Sequence, residues 1–164
     1  MVCSDTEAKF IQTIVENIPK YTPIPVEKYL VGVKPRAKDV ESLLSMELDE
    51  VRMVVIHGLP GVGKTTIAKA VYNRIANHFD GSSFLENVRE TLESKDGIIK
   101  LQGQLLEEIS RDENEKIHST SKGINLIKYR LRSKNVLLVL DDVDTLERIE
   151  KLFGDCNWFT SRST

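Results

Sequence analysis

Cysteine is scarce in this chain: Cys3 and Cys156 are its two cysteines in 164 residues, far apart and without metal-ligand spacing. Two thiols so placed exclude a disulfide scaffold. Neither has a flanking cationic pair to activate it, so both read as inert. A surplus of charge of one sign is also missing, with 23 Lys and Arg against 25 Asp and Glu, a net charge of −2. Proteins that coat nucleic acid usually show a basic excess, so no nucleic-acid partner is expected. Long apolar runs are absent too. The longest purely aliphatic one, Val136 to Leu140, is far short of the roughly 20 residues of a membrane span. Asp5 and Glu7 stand where a signal peptide would be basic and then apolar. These absences predict a soluble chain without a membrane partner, in the cytoplasm with the nucleus also open to it. What is present, 40% hydrophobic and 29% charged residues, suits a packed core. The length is one domain's worth.

Along the chain, Phe10, Ile11, Ile14, Val15 and Ile18 form an apolar stripe at helical spacing. Pro19, Pro23 and Pro25 then enforce an extended connector. A short helix is predicted with Val40, Leu43, Leu44 and Leu48 on one face. From residue 51 the pattern changes. The β-branched run Val51 to Ile56 suits a strand buried on both faces of a parallel sheet. A glycine-rich loop follows, then a helix with Ile67, Val71, Ile75 and Phe79 stacked four apart. A second strand is expected near Ser82 to Glu86. Two amphipathic stretches come next, one carrying Ile98, Leu101, Leu105 and Ile109, the other Ile124, Ile127 and Leu131. A charged loop, Arg111 to Lys116, separates them, and the basic stretch from Lys122 to Lys134 reads as a solvated helix face. The third strand is Val136 to Leu140, and a last helix is expected to start at Asp144 and carry Leu146, Ile149 and Phe153. Strands alternating with helices predict an α/β layered fold with a parallel sheet.

The loop Gly58, Leu59, Pro60, Gly61, Val62, Gly63, Lys64, Thr65 matches the template G-x-x-x-x-G-K-[ST]. Glycines let successive backbone N–H groups turn inward as an anion-binding nest. The helix that follows adds partial positive charge and free donors at its N-terminus. Lys64 can set an ammonium against the β- and γ-phosphates, and the Thr65 hydroxyl can ligate Mg²⁺. A bare glycine turn carrying Lys-Thr would need neither a buried strand before it nor a helix after it, and both are predicted here. The loop therefore points to a nucleotide. Pro60 lacks an N–H and can stiffen the loop but not donate to phosphate.

Asp141 lies 77 residues after Lys64, at the C-terminal end of the third strand. That edge of a parallel sheet is where ligands bind in open α/β folds. A carboxylate there can hold Mg²⁺ directly or through water. Asp142 adds a second carboxylate able to orient or deprotonate an attacking water, or simply to cap the next helix. Asp144 reads as the cap, because Glu147 stands three residues on, as in a capping box. His57 reads as packing or hydrogen bonding at the strand end, since no partner acid or nucleophile adjoins it.

At this point a resemblance can be stated. The segments Gly58 to Thr66, Phe84-Leu-Glu-Asn-Val-Arg-Glu90 and Leu137-Leu-Val-Leu-Asp-Asp-Val-Asp144 resemble the NB-ARC segment of plant disease-resistance proteins, over about residues 7 to 159. The last two resemble the subclass with an N-terminal Toll/interleukin-receptor domain, the TIR-NBS-LRR proteins. In that subclass an Asp closes the acidic motif where the coiled-coil subclass typically has Trp. The resemblance implies a P-loop NTPase core that switches between ADP and ATP in defence signalling and assembles with other receptor chains. It places phosphates on Gly61, Gly63, Lys64, Thr65 and Thr66 and the metal at Asp141. It also places adenine against Leu30-Val31-Gly32, although the polar residue usual after that stretch is Val33 here.

Residues 1–30 then correspond to a linker helix and Pro-rich connector, and residues 31–164 to a partial NB-ARC domain. The Gly-Leu-Pro-Leu and Met-His-Asp motifs of the family do not occur. Arg162, near the place of the family's γ-phosphate-sensing arginine, is not assigned that role. The chain thus reads as a truncated form whose own turnover of ATP is negligible. Two other readings stand beside this one. A stand-alone ATPase or small-molecule kinase would need an acceptor pocket and a lid, and no Arg-rich lid is evident. A non-enzymatic fragment would act on full-length receptors through an exposed partial sheet and would be poorly soluble. A GTPase is disfavoured, because the Asn-Lys-x-Asp pattern is absent.

Overall fold

A computed structural model describes residues 21, 23–26, 35, 38, 51–55 (backbone only), 61, 63–110, 116–132 and 134–155. The stripe of residues 10–18, the helix of residues 40–48, Ile56, the loop of residues 111–115 and both cysteines lie outside the described residues.

The strands are β1 (Val51–Val55), β2 (Gly81–Leu85) and β3 (Val136–Leu140). The helices are α1 (Lys64–Ile75), α2 (Val88–Glu93), α3 (Gly97–Ser110), α4 (Thr120–Leu131) and α5 (Leu146–Phe153). The sheet is parallel in the order β1-β3-β2, with Val51 and Gly81 both level with Val136. The most apolar strand is therefore central, and all five of its residues are buried. Side chains alternate across it, as the two-residue period of a strand requires. Leu137 and Val139 join Phe84, Val71, Tyr72 and Ile75 in a core beneath α1. Val136, Leu138 and Leu140 join Leu105, Ile127 and Leu152 in the core beneath α3, α4 and α5. Helices thus cover both faces, the α/β arrangement expected from the alternation of strands and helices.

Local differences from the sequence reading have local causes. The stripe through Val71 and Ile75 continues to Phe79, but α1 ends at Ile75 and a 3₁₀ turn, Ala76–His78, follows. Phe79 has extended backbone angles and is still buried. Strand β2 is shifted one residue earlier than expected. In α4 the buried stripe is Gly123, Ile127 and Leu131. A glycine takes the first place because a Cβ there would collide with the amide of the fully buried Gln102. That amide donates to the Leu152 carbonyl at 2.9 Å and the Thr120 carbonyl at 3.3 Å, tying α3 to its two neighbours.

Helix α2 has no counterpart in the sequence reading, since six residues are too few for a periodic signal. Isolated helices of that length are unstable in water. This one is held by the loop after β3: the Val88 and Arg89 amides donate to the carbonyls of Asp141 and Asp142, both at 3.1 Å. Helix α5 begins two residues later than expected, with Thr145 at its N-cap. Asp144 is not the cap. Its carboxylate takes Arg148 Nε at 2.7 Å, and Glu147 pairs with Lys151 at 2.9 Å instead of reaching back. A charged partner outcompetes a backbone amide for each of these acids.

The Pro-rich connector docks on α1. Asn73 donates through Nδ2 to the Ile24 carbonyl at 2.7 Å and accepts the Ile24 amide through Oδ1 at 2.9 Å. One side-chain amide thereby stands in for a strand partner. Tyr21 donates to the Asn73 carbonyl at 2.7 Å. Its ring meets Tyr72 edge-on at 5.5 Å, and Tyr72 meets Phe84 in the same way at 5.5 Å. The outer edge of β2 is closed by α3, where Glu108 accepts the Phe84 amide at 3.1 Å.

Candidate functional site

Because the three strands are parallel, their C-terminal ends lie on one edge of the sheet. The glycine loop follows β1, Glu86 to Arg89 follow β2, and Asp141 and Asp142 follow β3.

Gly61 and Gly63 both have φ of +80°, in the left-handed region that favours glycine. Gly63 is the N-cap of α1, and its carbonyl accepts the Ile67 amide at 3.0 Å. No side chain caps this end, and its first turn holds no acid. The N-terminus of α1 carries the partial positive charge that favours an anion. Gly58, Leu59, Pro60 and Val62, together with His57, Leu30, Val31 and Arg162, lie outside the described residues.

Thr65, in the first turn of α1, donates from Oγ1 to Asp141 Oδ2 at 2.6 Å. Asp141 is 3% exposed, the one buried acid among the described residues, and its amide is anchored to the Leu85 carbonyl at 2.9 Å. A buried carboxylate needs a partner, and the hydroxyl supplies one. Residues 76 apart in sequence thus place two hard oxygen donors side by side. Magnesium is bound through one or two protein oxygens, with waters and phosphate completing the octahedron. The pair fits that ion. No cluster of three or more His, Cys, Asp or Glu able to hold a metal occurs among the described residues.

Asp142 has a different environment. Its φ is 60°, and its carboxylate meets Arg89 Nη2 at 3.3 Å. Arg148 reinforces the junction by donating to the Arg89 carbonyl at 3.1 Å while pairing with Glu93 and Asp144. Across the sheet edge, Lys69 on α1 pairs with Glu86 at 2.7 Å. The sequence reading gave no role to Lys69, Glu86, Arg89 or Arg148. The signal for Glu86 and Arg89 in the sequence is the charged tail of Phe84 to Glu90.

Glycine loop, helix N-terminus and acidic strand end together define a P-loop NTPase core. The chain belongs to the NB-ARC family: residues 36–161 match the NB-ARC domain. Over 130 residues it is 43% identical to the disease resistance protein RUN1 of Vitis rotundifolia, covering 79% of this chain and 10% of the relative. It is 37% identical over 164 residues to the disease resistance-like protein DSC1 of Arabidopsis thaliana, covering 98% of this chain and 13% of the relative. The TMV resistance protein N of Nicotiana glutinosa is 37% identical over 168 residues, covering 96% of this chain and 14% of that protein. The resemblance to disease-resistance proteins of the TIR-NBS-LRR kind is thereby borne out. The chain spans about a tenth to a seventh of the length of these relatives. It is the nucleotide-binding module of that protein class. No helix among the described residues is long and apolar enough to cross a membrane.

Proposed function

We propose that the chain binds ADP and ATP with Mg²⁺ and serves as the nucleotide-dependent switch of an intracellular plant defence receptor. The observation that carries this reading is the 2.6 Å contact between Thr65 and Asp141, which joins the phosphate loop to the acidic strand end. Gly61, Gly63, Lys64, Thr65 and Thr66 would cradle the phosphates, with Leu30, Val31, Gly58, Leu59, Pro60 and Val62 completing the nucleotide contacts. Thr65 and Asp141 would hold the metal, which when bound neutralises charge on the β- and γ-phosphates. Residues 31–164 would form this module and residues 1–30 its connector. Other receptor chains are the partners to test, on the strength of family membership. A stand-alone kinase gains no support.

The deciding experiment is calorimetric titration of ADP and ATP into the purified chain and into Lys64→Ala. Removal of the ammonium is expected to weaken binding at least about a hundredfold, the scale of losing a charge-assisted contact to phosphate. Equal affinity in the two proteins would refute the site.

A further inference from the structure

The two adjacent carboxylates after β3 are drawn to opposite sides of that strand. Asp141 turns to Thr65 on α1, the helix that follows β1 and the phosphate loop. Asp142 pairs with Arg89 on α2, the helix that follows β2. Since β3 lies between β1 and β2, the second carboxylate is held on the side away from the phosphate loop. The holding is deliberate in its construction. Arg89 binds Asp142 twice, through its guanidinium at 3.3 Å and through its amide to the Asp142 carbonyl at 3.1 Å. Arg148 grips the Arg89 carbonyl from behind. The two non-glycine residues with positive φ among the described residues, Asn87 and Asp142, flank this same junction. Asn and Asp are the residues other than glycine that enter this left-handed region most readily.

We propose that Arg89 is a positioning residue that latches Asp142 out of the nucleotide site, so that ATP is held without a water being aligned for its hydrolysis. The proposal rests on the nucleotide-binding reading above. With the latch open, the Asp142 carboxylate accepts a hydrogen bond from the attacking water. The water oxygen bonds to the γ-phosphorus, and the bond from that phosphorus to the β,γ-bridging oxygen breaks with its electron pair staying on ADP. The proton leaves with product phosphate and solvent. The pair is half-exposed, so it can open without unfolding the chain.

The test uses the whole chain and the variants Arg89→Ala, Arg89→Lys and Arg89→Ala/Asp142→Asn. Arg89→Ala is expected to raise kcat for ATP by about fivefold or more, with KM and the ADP Kd within about twofold of the parent. Arg89→Lys keeps the charge and should stay near the parent, and the double variant should lose the gain of Arg89→Ala. In the nucleotide-free chain the Asp142 carboxyl carbon resonance should move in Arg89→Ala and much less in Arg89→Lys. Should Arg89→Ala melt below the assay temperature, Arg89→Gln carries the same readouts. An unchanged kcat, including no detectable turnover in either protein, overturns the latch. So does a rise in kcat that survives Asp142→Asn or comes with a matching rise in KM. A parent chain that binds no ADP marks failure of the nucleotide reading instead, whereas intact ADP binding with an unmoved kcat marks failure of the latch alone.

Discussion

At the residue scale the proposed metal site rests on Thr65 and Asp141. The hydroxyl and the buried carboxylate stand 2.6 Å apart, and such oxygens are the hard donors a divalent cation takes. Asp141→Asn keeps the shape and a hydrogen-bond acceptor for Thr65 but removes the charge. It should therefore weaken nucleotide binding in Mg²⁺ about tenfold or more while leaving binding in chelator almost unchanged, since the cation accounts for the difference. Parallel titrations with and without Mg²⁺ measure it, and equal losses would remove Asp141 from the metal site. Tyr72 carries a separate prediction. Burial raises its phenol well above the usual 10.0, and the charge of Glu108 and the neighbouring Tyr21 add to the shift. A folded-state value above the unfolded one means that unfolding releases a proton at alkaline pH. Stability is thus fully present below about pH 10 and is lost above it, at up to about 1.4 kcal/mol per pH unit for one group. Urea melts between pH 8 and pH 11 should show a shallower alkaline decline in Tyr72→Phe than in the parent. Identical slopes would show that the phenol ionises as readily in the folded chain.

Connections between elements are made by single polar side chains. Asn73, in the last turn of α1, fastens the connector by matching both backbone groups of Ile24. The same helix opens with the phosphate-binding turn, so connector and nucleotide site share one rigid rod. Asn73→Ala leaves two part-buried backbone groups unpaired and should cost about 1–3 kcal/mol in stability. It should also expose the chain around residues 21–26 to protease while the site itself stays formed. Limited proteolysis read by mass spectrometry checks this, and an unchanged cleavage pattern would show that the aromatic contacts of Tyr21 hold the connector without Asn73. The six-residue α2 illustrates the same economy. Its first two amides end on the carbonyls of the acidic loop, so a segment too short to be helical alone is helical only beside Asp141 and Asp142.

For the molecule as a whole, the central position of β3 is what unites the parts. Its five residues are buried on two faces, with three facing the core under α3, α4 and α5 and two facing the core under α1. Its carboxyl end then falls between the phosphate loop and α2. Much of this was legible beforehand. Helical spacing announced α1, α3 and α4, apolar runs announced β1 and β3, and the G-x-x-x-x-G-K-[ST] spacing marked the proposed phosphate loop. Those signals are local, written within a turn or a strand, and a local signal needs no knowledge of the rest of the chain. Strand order, by contrast, joins residues more than 50 apart, and nothing in Val136 to Leu140 says that it lies between β1 and β2. That distance also hid α2, whose partners lie across the sheet edge, whereas the start of α5 was hidden by a near neighbour, Asp144 pairing with Arg148 four residues on. The sequence by itself determined that this chain would present a phosphate loop and an acidic strand end. Only the tertiary structure decided that one carboxylate meets Thr65 and the next is claimed by Arg89, since charges choose partners by distance in space.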